Sequence, residues 1–139
     1  MRMALYLILI CLIVGLAWIR LAPSDPARWH VDPQVTADQD LAGGVRRKIA
    51  VEGAGLAQLH KLILATPRTH VLAGALEEGR VTYVTRSAWF GFPDYTTVQV
   101  GEGGIEIWGR LRFGQSDLGV NKARVDGWLA QMREEQEGA

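Results

Sequence analysis

The sequence predicts an α+β domain in which an antiparallel meander of four to five strands carries two helices on one face and follows one N-terminal transmembrane helix. Three observations lead to this prediction. An apolar run without charge opens the chain. Short segments of strand-like composition then follow one another, and amphipathic helical segments stand before and after them. Strands that arrive consecutively between helices are typical of the α+β class.

The apolar run predicts a membrane anchor. Residues 3–19 are 17 residues without a charge, and ten of them are Leu, Ile or Val. At ~1.5 Å per residue they span about 26 Å, close to the ~30 Å of a hydrocarbon core. Arg20 can extend its charge to the interface, so the embedded part is expected to cover residues 3–22. Residues 1–22 are therefore predicted to be the anchor.

The fate and orientation of this segment leave one alternative open. Gly15-Leu16-Ala17 resembles the small-residue cleavage site of a signal peptide, so a cleaved leader competes with an uncleaved anchor. Positive charges on the two flanks nearly balance. Because a short N-terminal tail is usual for a signal anchor, we expect a single-pass inner-membrane protein. Residues 23–139 would then face the periplasm of a Gram-negative cell.

Composition limits the partners of the remaining chain. The 139 residues contain 15 basic and 15 acidic side chains. Since Arg2 and Arg20 fall within residues 1–22, the rest has 13 bases and 15 acids, a net charge of −2. Nucleic-acid-binding domains usually carry a clearly basic face, so no nucleic-acid partner is expected. The single cysteine, Cys11, lies inside the apolar run and allows no intrachain disulfide.

Residues 23–44 are predicted to be a linker, and residues 45–139 the α+β domain. Three prolines and several Asp and Gly residues favour turns in the linker, and no helical or strand period is visible there. Trp29 and Val31 are its candidates for docking on the domain.

Within the domain, the first helix is predicted over residues 54–65. Its apolar stripe has helical spacing, with Leu56, Leu59, His60 and Ile63 at i, i+3, i+4 and i+7. Thr66-Pro67 ends it, because the residue before proline avoids the helical region. Strand-like composition and flanking turn residues predict four strands, at residues 45–51, 69–76, 80–90 and 96–100.

The clearest strand is residues 105–113. Apolar residues and Gly109 alternate there with Glu, Trp and Arg residues, a period of two that predicts one buried face. The last helix is predicted over residues 121–134, with Asn121 as its N-cap and Val120 packing on Val125.

Three motifs carry a family resemblance. They are Thr85-Arg86-Ser87, Phe90-Gly91-Phe92-Pro93-Asp94-Tyr95, and Gly114-Gln115-Ser116-Asp117-Leu118-Gly119-Val120-Asn121 with Arg124. With them, residues 85–124 resemble a bacterial family catalogued as domain of unknown function 1499. Residues 29–33, after an apolar N-terminus, are similar to anchored members. The resemblance implies a shared domain and no particular activity.

The catalytic and metal-binding patterns in the sequence are incomplete. His30 and Asp32 could begin a metal site, but a third ligand with suitable spacing is missing, so no metal is expected. Gly53-Ala54-Gly55 lacks the remaining features of a dinucleotide loop, so no cofactor is expected. Ser87 or Ser116 could be drawn into a triad, but neither lies in a nucleophile elbow. No catalytic residue is therefore assigned.

The strongest polar constellation has two interpretations. Arginine forks pair well with carboxylates, and acidic or amide side chains at a helix start satisfy free backbone N–H groups. The set could lock the last strand to the last helix, or it could bind a polar or anionic ligand at the sheet edge. Its members are Arg86, Asp94, Arg110, Arg112, Asp117, Asn121 and Arg124.

Three classes of function stay open at this point. The favoured one is an envelope domain without catalytic activity that binds a partner protein or assists assembly. The second is a carrier of a small apolar or amphipathic ligand, and the third, least favoured, is a hydrolase. Four aromatic residues are candidates to contact a ligand or partner, namely Trp89, Phe90, Phe92 and Trp108.

Overall fold

The alternating segments of the sequence form one antiparallel sheet, and the amphipathic segments form helices that cover it. The computed structural model describes residues 1–51 and 54–139. The helices are α1 Arg2–Leu21, α2 Pro26–Trp29, α3 Gly55–Ala65 and α4 Val120–Glu137. The strands are β1 Gln39–Leu41, β2 Gly44–Ile49, β3 Thr69–Ala75, β4 Arg80–Arg86, β5 Pro93–Gly101 and β6 Gly104–Leu111. The predicted α+β class is confirmed.

Within the described residues the sheet has six strands in the order β1-β2-β6-β5-β4-β3, and their pairs are antiparallel. Strands β3 to β6 form the predicted meander. Strand β2 pairs with β6, and α3 lies in the connection from β2 to β3 at the opposite edge. The count exceeds the predicted four to five because β1, in the segment predicted to be a linker, adds an edge strand.

Helices α3 and α4 pack on one face of the sheet and enclose the main core. Leu59 and Ile63 of α3 and Val125 of α4 are fully buried there. Gly109 of β6 lets α4 approach closely, since a Cβ at this position would lie 3.3 Å from both Asn121 and Val125. The placement of both helices on one face is as predicted.

The opposite face of the sheet is covered by residues 22–38, which we call the strap. The ring of Trp29 stacks on that of Tyr95 with centroids 3.9 Å apart. Farther along the strap, the Val35 amide donates to Glu106 Oε2 at 3.3 Å. The side chain of Val35 is fully buried.

Coverage by the strap corrects two expectations. Residue alternation in β6 predicted one buried face, yet Glu106 and Arg110 on the other face are also buried. The segment 23–44 was predicted to be a linker, and it contains α2, β1 and the first residue of β2. Much of the strap docks through backbone carbonyls and one aromatic ring, which leave no periodic signal in a sequence.

Helix α1 is long and apolar enough to cross a membrane. None of its residues is buried in the rest of the protein. At its C-terminal end, Arg20 donates to the backbone carbonyl oxygens of Trp89 and Phe90, at 3.3 Å in each case. Arg112, just beyond β6, donates to the carbonyl of Pro23 at 3.0 Å. We call the end of the sheet where these contacts lie the anchor end.

Candidate functional site

A pocket of about 330 Å³ lies at the anchor end. It forms where β5 begins, where β6 ends and where α4 begins. Its walls combine four aromatic or aliphatic side chains with five polar or charged ones. The lining residues are Ser87, Phe92, Asp94, Leu111, Phe113, Ser116, Asp117, Val120 and Arg124.

Three side chains beside this site are connected to one another, and we call them the polar triplet: Asp94, Asn121 and Arg124. Asp94 and Arg124 line the pocket, and Asn121 bridges them. Asn121 Nδ2 donates to Asp94 Oδ2 at 3.2 Å. Arg124 Nη1 lies 3.4 Å from the same oxygen and donates to Asn121 Oδ1 at 3.0 Å. Asn121 is fully buried, and the other two side chains are largely so. The triplet joins β5 to α4.

The environment of Asp94 disfavours its charged form. Burial raises the pKa of Asp94, although its ion pair with Arg124 and the hydrogen bond from Asn121 oppose that rise. A carboxylate that has lost much of its hydration gains from each additional hydrogen-bond donor. The pocket therefore favours a ligand group that can donate to Asp94.

Asp117 shapes the start of α4. Its Oδ1 accepts from the Gly119 amide and its Oδ2 from the Asn121 amide, both at 3.0 Å. Gly119 is the N-cap residue, with a φ of 79° that suits glycine. Asn121 was predicted to be the N-cap, and this is wrong: its side chain turns into the polar triplet. Asp117 supplies the accepting oxygens in its place.

Arg110 and Arg112 were predicted to join this cluster, and they lie on the opposite face. Arg110 Nη2 donates to the Trp29 carbonyl at 2.5 Å, and its guanidinium lies 4.0 Å from the Trp108 ring centroid. Arg112 donates to the Tyr95 hydroxyl at 3.1 Å. Both arginines alternate along the strand with residues that face α4, so the pleat directs them to the strap. Burial lowers the pKa of Arg110 to about 10.

Arg86, the seventh predicted residue, organises the loop beside the pocket. Its Nη1 donates to the Gly91 carbonyl at 2.8 Å. Ser87 closes the same loop, because its amide donates to the Phe92 carbonyl and its Oγ accepts from the Phe92 amide, both at 3.0 Å. Residues 87–92, which we call the aromatic loop, are thereby held in one conformation.

The four candidate aromatic residues have different positions. Phe92 lines the pocket, with its ring centroid 6.4 Å from that of Phe113. Phe90 packs edge-on against Phe92 at 6.0 Å, and Trp89 beside it is 88% exposed. Trp108 lies on the strap side. Phe113 was not among the candidates, although its place at the end of the apolar alternation was a signal for it.

The two pocket serines, His30 and His60 make structural hydrogen bonds. Ser116 Oγ accepts from the Leu118 amide at 3.2 Å, so both pocket serines hold turns. In the part of the chain that the structure describes, no histidine lines the pocket. His30 Nδ1 lies 2.9 Å from Thr82 Oγ1 and His60 Nδ1 lies 2.7 Å from the Tyr83 hydroxyl. A Ser-His arrangement is therefore not assembled at the pocket.

Metal and nucleotide patterns add nothing to the site. Within residues 1–51 and 54–139, no three His, Cys, Asp or Glu side chains are grouped to hold a metal ion. Asp32 lies 3.6 Å from Arg80, and His30 is bonded to Thr82 as described above. Of the Gly53-Ala54-Gly55 pattern, Gly53 lies outside the described residues.

Comparison with known protein families identifies a match. The family model described as "Protein of unknown function (DUF1499)" matches residues 23–132. This range takes in the strap, the sheet, α3 and most of α4, and it begins just after α1. No curated protein and no solved structure matches the chain.

Proposed function

The chain belongs to the DUF1499 family of proteins of unknown function, and on this premise we propose that it is a membrane-anchored binding protein that holds a small amphipathic molecule in the pocket at the anchor end of its sheet. Helix α1 is the uncleaved anchor, single-pass in the inner membrane, and residues 23–139 face the periplasm. The protein binds its ligand without transforming it.

One observation carries this proposal: the pocket has apolar walls beside a buried polar group. Phe92, Leu111, Phe113 and Val120 provide apolar surface, and the polar triplet provides a carboxylate and a guanidinium. A volume of about 330 Å³ lies at the lower end of the range of roughly 300–1,000 Å³ typical of small-molecule sites. Such a site suits a ligand with an apolar body and a polar group that donates to Asp94.

The position of the pocket adds support. It opens beside the aromatic loop, whose carbonyls accept hydrogen bonds from Arg20 of α1. An amphipathic molecule is concentrated in and near a membrane, so a site at the anchor end is close to its supply. A site at the other end of β5 would be roughly 23 Å farther away, at ~3.3 Å per residue.

A protein partner is the second candidate, and the exposure of Trp89 is the observation that favours it. A contiguous exposed apolar patch marks a protein or membrane interaction site, and Phe90 beside Trp89 is also 54% exposed. The two candidates make different predictions for the pocket. A small ligand occupies the pocket, whereas a protein partner bound at Trp89 leaves the pocket empty.

The test is to identify what the pocket holds. The full chain is purified from native membranes, and its bound small molecules are measured by mass spectrometry. Val120→Trp places a large ring on the pocket wall at a residue that is 50% exposed. Val100→Trp is the matched control, because Val100 is 55% exposed and lies at the far end of β5.

We expect an amphipathic molecule to co-purify with the unmodified chain and with Val100→Trp, and to be lost from Val120→Trp. A molecule retained equally by both variants would place its site elsewhere. If no molecule is enriched and a protein co-purifies in a manner that depends on Trp89, the partner-binding candidate replaces this proposal.

A further inference from the structure

We propose that the aromatic loop, residues 87–92, is a membrane-contact element whose Trp89 and Phe90 side chains insert among the lipid headgroups beside the end of α1. This inference rests on the proposed anchoring of α1 and goes beyond the proposed function, because it assigns a role to residues at the edge of the pocket. The occupant of this surface is the bilayer that holds the anchor.

The position of the loop is set by Arg20. Arg20 Nε donates to the Phe90 carbonyl and Nη2 to the Trp89 carbonyl, at 3.3 Å in each case. Since Arg20 is the penultimate residue of α1, these bonds hold the loop at the level where the helix ends. A basic residue at the end of a spanning helix places its charge at the interface. The loop therefore lies at headgroup level.

The chemistry of the loop suits that level. Its sequence, Ser-Ala-Trp-Phe-Gly-Phe, has no charged residue. Trp89 is 88% and Phe90 54% exposed, although both are large and apolar. Tryptophan and other amphipathic aromatic side chains are enriched at membrane–water interfaces. Trp18 of α1 is also exposed, less than one helical turn before Arg20.

The loop is formed in advance of any contact. Its closure by Ser87 and the bond from Arg86 to the Gly91 carbonyl leave the two exposed rings on a fixed support. Gly91 adopts a φ of 70°, and a Cβ there would lie 3.0 Å from Arg20 Nε, so glycine also allows the close approach of Arg20. A fixed loop inserts its side chains with little loss of conformational entropy.

A row of rings connects this surface to the pocket. Phe90 contacts Phe92 edge-on at 6.0 Å between centroids, and Phe92 contacts Phe113 at 6.4 Å. Phe92 and Phe113 line the pocket. With Phe90 among the headgroups, the mouth of the pocket faces lipid, and an amphipathic molecule reaches the site from the leaflet. A protein on Trp89 would have to occupy the same headgroup layer.

The experiment uses the natural cysteine content of the chain. Cys11 is the single cysteine, so Cys11→Ser yields a full-length cysteine-free parent. Ala88→Cys, an exposed site in the loop, then takes a nitroxide label without altering Trp89 or Phe90. Leu9→Cys reports on the middle of α1, and Glu102→Cys reports on the exposed turn at the far end of β5.

Each labelled protein is reconstituted in liposomes of phosphatidylethanolamine and phosphatidylglycerol. Collision rates of the label are measured with oxygen, which concentrates in lipid, and with an aqueous nickel chelate. We expect the label at position 88 to lose most of its nickel collisions relative to position 102, and the label at position 9 to show the strongest preference for oxygen.

Two outcomes overturn the inference while leaving the anchor in place. The label at position 88 could be as open to nickel as that at 102 while position 9 stays lipid-exposed. It could also be open in liposomes and shielded only in native membrane vesicles, which would indicate a protein partner. If position 9 itself is open to nickel, the anchoring proposal fails, and this inference fails with it.

Discussion

The ring of Trp29 stacks on the ring of Tyr95 with centroids 3.9 Å apart and planes inclined by 12°. Trp29 lies in the strap and Tyr95 in β5, so this pair fastens the chain that leaves α1 to the middle of the sheet. The Trp29 carbonyl also accepts from Arg110. The strap is thereby part of the folded unit, and two predictions follow from its contacts.

A protein that starts at Pro23 is expected to be soluble and to unfold cooperatively. It keeps the strap except Ala22, all the described strands and the helices that cover the sheet. A protein that starts at Gln39 lacks the strap and exposes Tyr95, Thr97 and Arg110, which the strap covers or contacts. We expect that protein to be insoluble or to lose its cooperative transition in urea, monitored by circular dichroism. Equal stability of the two proteins would mean that the strap is dispensable.

The second prediction compares two tryptophans in the protein that starts at Pro23. Trp29→Ala removes the stack on Tyr95 and the ring beside Arg110. Because Trp29 is half-buried, we expect a loss of about 2–3 kcal/mol, below the ~3–5 kcal/mol of a fully buried aromatic side chain. Trp89→Ala, in the exposed aromatic loop, should stay within about 0.5 kcal/mol. Urea titrations measure both, and a similar loss for the two variants would contradict the assigned role of the strap.

The periodic parts of the structure could be predicted from the sequence. The alternation in residues 105–113 corresponds to β6 Gly104–Leu111, with Ile105 and Ile107 buried on the helix side. The helix predicted over residues 54–65 is α3 Gly55–Ala65. In each of these segments the buried apolar residues recur at a fixed spacing. That spacing is visible in the sequence without knowledge of the elements against which the segment packs.

Residue periodicity did not predict the docking of the strap, and the grouping of polar residues did not match the site. Strap docking uses the carbonyl of Trp29 and the amide of Val35, which are backbone groups and not features of a particular side chain. The seven predicted polar residues were grouped by charge, and the sheet divides them by face. Arg110 alternates with Gly109, which contacts α4, so the period of two already placed Arg110 away from the polar triplet. The same period of two places Phe113 on the side of β6 that faces α4, so the alternation also indicated a place for Phe113 beside the pocket.

The membrane topology gives the third prediction. Alkaline phosphatase, fused after Ala139, is active only when it is exported, so we expect an active fusion in a Gram-negative host. A matched fusion to a reporter that works only in the cytoplasm should be inactive. N-terminal sequencing of the mature protein should show that the apolar run of α1 is retained. The reverse reporter pattern would invert the orientation, and a mature N-terminus at Trp18 would remove the anchor.

The fourth prediction concerns the pH dependence of two carboxyl groups. Burial raises the pKa of Asp94 above its ordinary value of 3.8, so its native state binds a proton more readily than its unfolded state. The stability from Asp94 is then fully present below pH 3.8 and is lost as pH rises through the native pKa. The free energy of unfolding of the unmodified protein, minus that of Asp94→Asn, should decrease from acid to neutral pH.

Asp126 serves as the comparison because its pKa is shifted in the opposite direction to that of Asp94. The hydrogen bond from Arg47, helped by Lys122, lowers the pKa of Asp126 below 3.8. Its contribution is present above pH 3.8 and is lost as pH falls through the native pKa. The free energy of unfolding of the unmodified protein, minus that of Asp126→Asn, should therefore increase with pH. Urea titrations from pH 3 to 7 measure how each free-energy difference changes with pH. If both differences change in the same direction, the direction of the pKa shift assigned to Asp94 or to Asp126 is wrong.

The last prediction concerns Asp117, which accepts hydrogen bonds from the amides of Gly119 and Asn121 at the start of α4. Asp117→Ala leaves these donors without an acceptor and should lower the free energy of unfolding by roughly 1–3 kcal/mol. Asp117→Asn keeps one accepting oxygen and should recover part of that loss. Glu102→Ala, at an exposed residue in the β5–β6 turn, is the control and should change stability by less than about 0.5 kcal/mol.

Asp117 also lines the pocket, so a role in ligand binding is the competing explanation, and stability separates the two. If Asp117 acts through α4, the melting temperature falls in Asp117→Ala, and ligand retention by Asp117→Asn follows its partial recovery of stability. If it contacts the ligand, both variants melt like the unmodified protein and the co-purifying molecule is lost. A stability change for Asp117→Ala no larger than that for Glu102→Ala would therefore disprove the structural role, because the hydrogen bonds from the Gly119 and Asn121 amides to Asp117 would then contribute nothing to the stability of α4.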